Sequence, residues 1–158
     1  MEFEVFASQE WARLRRAGFL LCGDWHTAED LAQAALIKVY ARWRTLRSPQ
    51  KASAFTRTAL VRTWIDWQRK RSSTEVPTGS MPERSAGGDD AETRVTLLDA
   101  LAQLLPMQRA VVVLRYWQDL PVEEVARLTG RKPATVRSDA ARGLAALKAV
   151  LTEKETVR

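Results

Sequence analysis

The sequence predicts an all-α protein: two small helical domains, residues 1–72 and 93–158, joined by a flexible acidic linker, 73–92. Three observations predict this. Apolar residues recur at three- and four-residue spacing in both halves, and the strict alternation that marks a half-buried strand does not occur. The stretch 72–93, SSTEVPTGSMPERSAGGDDAET, is rich in Ser, Pro, Gly and acids, and too poor in apolar side chains to offset its ordering entropy. Charge is segregated: residues 1–72 carry 13 Lys+Arg against 7 Asp+Glu, residues 73–92 carry 1 against 5, and residues 93–158 carry 11 against 7. Helical bundles of about 70 residues fold alone.

The first helix follows the apolar stripe Phe3, Phe6, Trp11, Leu14, Phe19, Leu20 and Leu21, and breaks near Gly23-Asp24. The second is expected over 28–44. Thr27-Ala28-Glu29-Asp30 offers a capping box at its start, with Thr27 and Asp30 exchanging hydrogen bonds. Leu31, Ala34, Ala35, Val39 and Trp43 keep helical spacing behind it, and Pro49 lies in the break that follows. A third helix, about 52–71, carries Phe55, Ala59, Leu60, Trp64 and Trp67. After the linker, Val95, Leu97, Leu98, Leu101, Leu104 and Leu105 form one stripe that ends at Pro106. Helices over 107–117, 121–128 and 133–151 complete the chain.

The pair 121–128 and 133–151 has the spacing of a helix-turn-helix. Pro121 stands at the first turn with Glu123 and Glu124 behind it, favourable near the positive end of the helix dipole. Ala126 is small enough for a close helix crossing. Gly130, four residues on, supplies the positive φ that the turn needs. Val136, six residues further, plugs the space between the helices. On the second helix Val136, Ala140, Leu144 and Leu147 make an inward stripe. Arg131, Lys132, Thr135, Arg137, Ser138 and Arg142 bring donors that suit phosphates and base edges. Asp139 stands among them; Arg137 and Arg142 could equally pair with it as surface ion pairs.

Residues 55–71 interleave aromatics with bases. Arg57, Arg62, Arg69, Lys70 and Arg71 suit phosphates, and Trp64 or Trp67 suits stacking on unpaired bases. The competing reading puts Trp64 and Trp67 in the core, with the basic cluster serving the helix dipole. On the second helix, Asp30, Gln33, Leu36 and Ile37 make a mixed polar and apolar face fit for docking another protein.

Composition narrows the function. A formal net charge of +6, held in two basic blocks, fits a polyanionic partner. No apolar run has the length of a membrane span and no signal peptide opens the chain, so a cytoplasmic protein without membrane insertion is expected. One Cys, Cys22, and one His, His26, stand a helical turn apart. They supply two of the four ligands a structural zinc wants, and nothing beside them completes the set. Neither a nucleophile–base set nor a metal cluster assembles from them; no enzyme activity, metal or cofactor is expected.

The order of parts resembles the extracytoplasmic-function group of bacterial RNA polymerase sigma factors. The resemblance rests on Ala28-Glu29-Asp30-Leu31-Ala32-Gln33, the basic-aromatic helix 55–71, the linker, and the stretch from Leu105 to Gly130 with Leu114-Arg115-Tyr116-Trp117 inside it. The run 141–147, Ala-Arg-Gly-Leu-Ala-Ala-Leu, is similar to the sigma-E-type branch common in actinobacteria. The resemblance implies that Asp30, Gln33, Leu36 and Ile37 dock on the β′ clamp helices of core RNA polymerase. It implies that 49–71 opens and reads the −10 element of promoter DNA, and that the helix from Pro133, Asp139 included, reads the −35 element. The linker would thread toward the active-site and RNA-exit channels, and the β subunit is a further expected partner. Leu36 stands where the family usually has Phe, Arg62 where it often has Asn, and Asp139 where many members have Arg. An anti-sigma partner is a family-level expectation. The rival reading is a helix-turn-helix regulator that binds DNA without polymerase.

Overall fold

The computed structural model describes residues 2–73 and 91–156, and the side-chain surroundings of 2–71 and 97–152. Among the described residues there are seven α-helices and no strand: α1 (Phe3–Cys22), α2 (Trp25–Ala41), α3 (Pro49–Ser73), α4 (Ala91–Ala102), α5 (Pro106–Val112), α6 (Val122–Thr129) and α7 (Pro133–Thr156). A 3-10 turn, Trp43–Thr45, follows α2, and a π-helical turn, Val113–Trp117, follows α5. The chain divides into two compact units, Met1–Glu83 and Arg84–Arg158. Ser73, Ala91 and Glu92, which the sequence assigned to the linker, are helical; Ala and Glu are strong helix formers and extend α4 toward its start. The linker's other residues, 74–90, lie outside the described ones.

In the first unit α1 packs on α2 and α2 on α3. Gly23 ends α1 at φ 77°, its N–H donating to the Phe19 carbonyl, a left-handed cap that glycine adopts without a Cβ penalty. Asp24, not Thr27, caps α2. The Asp24 carboxylate accepts from the Thr27 backbone N–H at 2.9 Å and from the Thr27 hydroxyl at 2.5 Å. The expected capping box does not form; the cap lies three residues earlier, and α2 starts at Trp25. Those hydrogen bonds, the Thr27 hydroxyl first, hold the Asp24 carboxyl below its usual value of 3.8. Pro49 does not lie in a break; it opens α3, where a missing N–H costs nothing, and the Ser48 hydroxyl accepts from the Lys51 N–H at 3.2 Å.

The inner face of α2 is Ala28, Leu31, Ala32, Ala35 and Val39, all with no exposed surface. The three alanines let neighbouring helices approach closely: a Cβ on Gly18 of α1 would come within 3.2 Å of the Ala28 carbonyl oxygen. Polar ties add to the packing. Arg15 bonds Glu29 at 2.8 Å and lies 4.3 Å over the Trp25 ring, which stacks on Phe19 at 3.8 Å. Ser53 donates to Glu10 at 2.9 Å, and Lys38 donates to the Thr63 hydroxyl at 2.6 Å.

In the second unit α5 and the π turn are buried along one continuous run, Arg109 through Leu114. Helices α4, α5 and α6 all pack on α7, and α6 also meets α5 and the π turn. The sequence expected one α-helix over 107–117; instead the Gln118 N–H reaches the Val113 carbonyl at 3.0 Å, five residues back. The wider turn presents Tyr116 and Trp117 to solvent, and Arg115 Nη1 closes the corner on the Leu120 carbonyl at 2.7 Å. Asp119 follows at φ 55°, a conformation that Asp tolerates better than most residues.

Candidate nucleic-acid and partner interfaces

Because α2 turns small and apolar residues inward, its other side is left for contact. Asp30 and Gln33 are exposed and Leu36 is half-buried, while Ile37 is 70% exposed. Tyr40, 65% exposed, continues the same stripe three residues on, and sequence reasoning missed it. Carrying the Asp30, Gln33, Ile37 spacing one step further would have found it. Asp30 also lies 3.7 Å from His26 one turn back. At the end of α2 an open recess of about 620 Å³ is lined by Phe3, Tyr40 and Trp43, with Arg42 and Arg44 on its wall. Phe3 meets Tyr40 and Trp43 edge-on, at centroid distances of 5.0 and 5.5 Å.

Helix α3 carries its bases outward. Arg62, Arg69, Lys70 and Arg71 are exposed and Arg57 is half-buried. Trp64 is not on that surface. It is 2% exposed and packs in the core, its Nε1 buried without a hydrogen-bond partner. It shares a helix face with Leu60 and Val61, also buried, so helical spacing assigns it inward. Trp67 is half-buried and is the indole of this helix with surface to offer. The core reading thus holds for Trp64, and its assignment to a DNA-binding face is corrected.

The helix-turn-helix forms at the expected spacing. Gly130 sits at φ 69°, its N–H donating to the Ala126 carbonyl, and Val136 is fully buried between the helices. On α7 the outward residues are Ala134, Arg137, Ser138, Ala141, Arg142 and Ala145, with Lys132 exposed before the helix and Thr135 half-buried at its start. Alanines between the arginines let the backbone come close to a surface. Ser138 donates its hydroxyl to the Ala134 carbonyl at 3.1 Å, so its oxygen remains as an acceptor. Asp139 is the exception. Its side chain is 8% exposed and takes Arg131 Nη1 at 2.8 Å. The acid is therefore paired to the turn, not to Arg137 or Arg142, and its side chain is turned away from solvent. Position 139 lies three residues after Val136 and one before Ala140, on the edge of the inward stripe.

Among the described residues no group of three or more His, Cys, Asp or Glu is placed to hold a metal ion, and no helix is long and apolar enough to cross a membrane.

A left-handed turn that aims a helix with outward arginines is the geometry by which helical proteins enter the major groove. A second unit with its own basic helix makes this a two-module DNA-binding protein of all-α fold. Comparison with known proteins is specific about which kind. The family described as Sigma-70 region 2 matches residues 9–74, and Sigma-70, region 4 matches residues 94–147. The RNA polymerase sigma-E factor of Streptomyces coelicolor is 37% identical, covering 98% of this chain and 89% of that one. RNA polymerase sigma factor SigV of Bacillus subtilis is 29% identical over 89% of this chain and 85% of its own. The sigma factor RpoE of Bartonella quintana, solved in complex with the anti-sigma factor NepR, shares the fold with a TM-score of 0.68 at 22% identity, over 89% of this chain and 91% of that one. The chain belongs to the RNA polymerase sigma factors, in the sigma-E-type branch of the extracytoplasmic-function group. It directs RNA polymerase to promoters for initiation, and is not an independent regulator.

Proposed function

We propose that the outer face of α2, Asp30, Gln33, Leu36 and Ile37 extended by Tyr40, docks on the β′ clamp helices of core RNA polymerase. The observation that carries this reading is the exposure of Ile37 and Tyr40 in line with Asp30 and Gln33, an apolar stripe with a polar start on a helix whose opposite face is sealed. In α3, Arg57, Arg62, Arg69, Lys70 and Arg71 track the phosphates of the −10 element, and Trp67, not the buried Trp64, stacks on an unpaired base. In α7, Thr135, Arg137, Ser138 and Arg142, with Arg131 and Lys132 before it, address the −35 element.

The mechanism asks no covalent chemistry of the chain. Each module alone binds DNA weakly; polymerase fixes their separation and raises the effective concentration of the second contact. Extruding a base from the stack costs a few kcal/mol, and stacking on an aromatic returns about 1–3 kcal/mol per base. An anti-sigma factor, the kind of partner with which the Bartonella protein was solved, would hold this protein inactive if it covered these faces. The site of action is the cytoplasm.

The test is reconstitution. Purified protein mixed with core polymerase free of other sigma factors should comigrate on gel filtration and yield promoter-dependent run-off transcripts. Absence of both would reject the assignment. Asp30→Arg should weaken the holoenzyme first, whereas Arg137→Ala should lower −35-dependent transcription and leave polymerase binding intact. Equal loss of both functions in either variant contradicts the division of labour.

A further inference from the structure

We infer that Asp139 is a positioning residue for −35 recognition, acting through Arg131 and not by its own contact with DNA. The inference rests on the proposed −35 role of α7 and concerns how that helix discriminates.

The turn between α6 and α7 is short, and Arg131 is the residue that follows its left-handed glycine. A long cationic side chain there would ordinarily sweep a wide volume and touch any phosphate in reach. Here it does not sweep. Arg131 Nη1 is 2.8 Å from Asp139 Oδ2, and the side chains are 34% and 8% exposed. The carboxylate comes from the second turn of α7, beside Val136 and Ala140, both buried, so its own position is set by core packing. Asp139 is therefore a fixed point and Arg131 the mobile group it fixes. A guanidinium carries five N–H donors in a rigid planar fork. The contact engages one nitrogen, and donors remain on the fork for a phosphate or a base edge.

Two consequences distinguish this from a stray acid in a basic helix. The charge of Asp139 is compensated from within the protein, so it does not repel the DNA backbone as an exposed carboxylate would. The pairing also lowers the net positive charge that non-specific DNA feels, because non-specific binding scales with phosphates neutralised. Asp139 thus trades general DNA affinity for one defined placement of Arg131 at the entry of the recognition helix.

The experiment measures binding of reconstituted holoenzyme to two duplexes that share a −10 element. One has the −35 element intact and one has it scrambled, and each is titrated across salt. Asp139→Asn keeps the shape of the side chain and removes its charge. The expected result is a fall of about tenfold in the ratio of intact to scrambled affinity, equivalent to about 1.4 kcal/mol, with scrambled binding unchanged or stronger. In an Arg131→Gln background the same substitution should change the ratio no further. A full effect of Asp139→Asn in that background would overturn the inference in favour of direct base contact. Parallel loss on both duplexes would overturn it in favour of a structural role. Arg131→Lys tests the geometry without altering α7: it keeps the charge, loses the fork, and should lower the ratio several-fold; an unchanged ratio overturns the inference. The wild-type ratio reports separately on the underlying reading. A value near one rejects −35 recognition itself, and this inference with it.

Discussion

Replacing Gly143 with Ala tests whether α7 is held against α5 by backbone-level contact. A Cβ built at Gly143 falls deep inside van der Waals contact with Cγ2 of Val112, and 3.7 Å from Leu104 Cδ1. On helix propensity alone the substitution should stabilise by up to about 1 kcal/mol. Val112 decides the sign. It is fully buried and β-branched, with one strongly preferred rotamer in a helix, so the clash is relieved only by shifting α7. Overpacking of this kind costs about 1–3 kcal/mol, which leaves a net loss of about 1 kcal/mol. In a domain of this size that lowers the melting temperature by about 4–8 °C. Thermal melts followed by circular dichroism would measure it. The decisive control is Val112→Ala, which removes the offending methyls. In that background Gly143→Ala should reverse sign and stabilise. A wild-type or higher melting temperature for Gly143→Ala alone, or the same loss in both backgrounds, would refute the packing argument.

Trp64→Ala should destabilise the first unit by about 3–5 kcal/mol, the range for a large buried side chain, and reduce every activity together; Trp67→Ala should cost much less in urea denaturation yet slow promoter opening. The lowered carboxyl of Asp24 means that the folded state binds fewer protons than the unfolded one below about pH 4. Its contribution is therefore complete above the unfolded value of 3.8 and is lost as pH falls through the lower folded value. Asp24→Asn should flatten that acid limb in a pH series of melts, while costing at most about 1 kcal/mol at neutral pH. Tyr40→Asp should weaken holoenzyme formation in gel filtration while costing the fold no more than its edge-on contact with Phe3, about 0.5–1.5 kcal/mol, because the ring is mostly outside the core.

Much of the fold was legible because its signals are local. Helical spacing is a property of sequence, and Gly23 and Gly130 stop helices where a positive φ is needed. Two of the differences share a cause: two residues of suitable type stand close together, and packing chooses between them. Asp24 and Thr27 are both good caps, and the start of α2 was settled by the left-handed glycine just before Asp24. Trp64 and Trp67 are both aromatic at helical spacing, but only Trp64 lies with Leu60 and Val61 on the inward face. At Asp139 the density of surrounding bases drew attention to charge, whereas spacing from Val136 already placed the residue inward. The π turn over 113–117 has no compositional signature that spacing could reveal, and the exposure of Tyr116 and Trp117 came with it.

The outward face of α7 also bears on why such a protein works as a polymerase subunit. The arginines that α7 itself offers to bases on the proposed reading are two, Arg137 and Arg142, with Ser138 between them on a background of alanine. Two bidentate arginine–guanine contacts at about 1–3 kcal/mol each supply about 2–6 kcal/mol of discrimination. Stand-alone regulators separate specific from non-specific DNA by about 4–10 kcal/mol, so this helix alone reaches at most the lower part of that range. Adding more unpaired bases would raise affinity for all DNA, and the pairing of Arg131 with Asp139 works against that. A weak and selective reader becomes effective only when a second module is presented at fixed distance, so that two modest discriminations multiply. On the proposed reading, docking through α2 is then what converts two insufficient DNA-binding surfaces into one sufficient promoter contact.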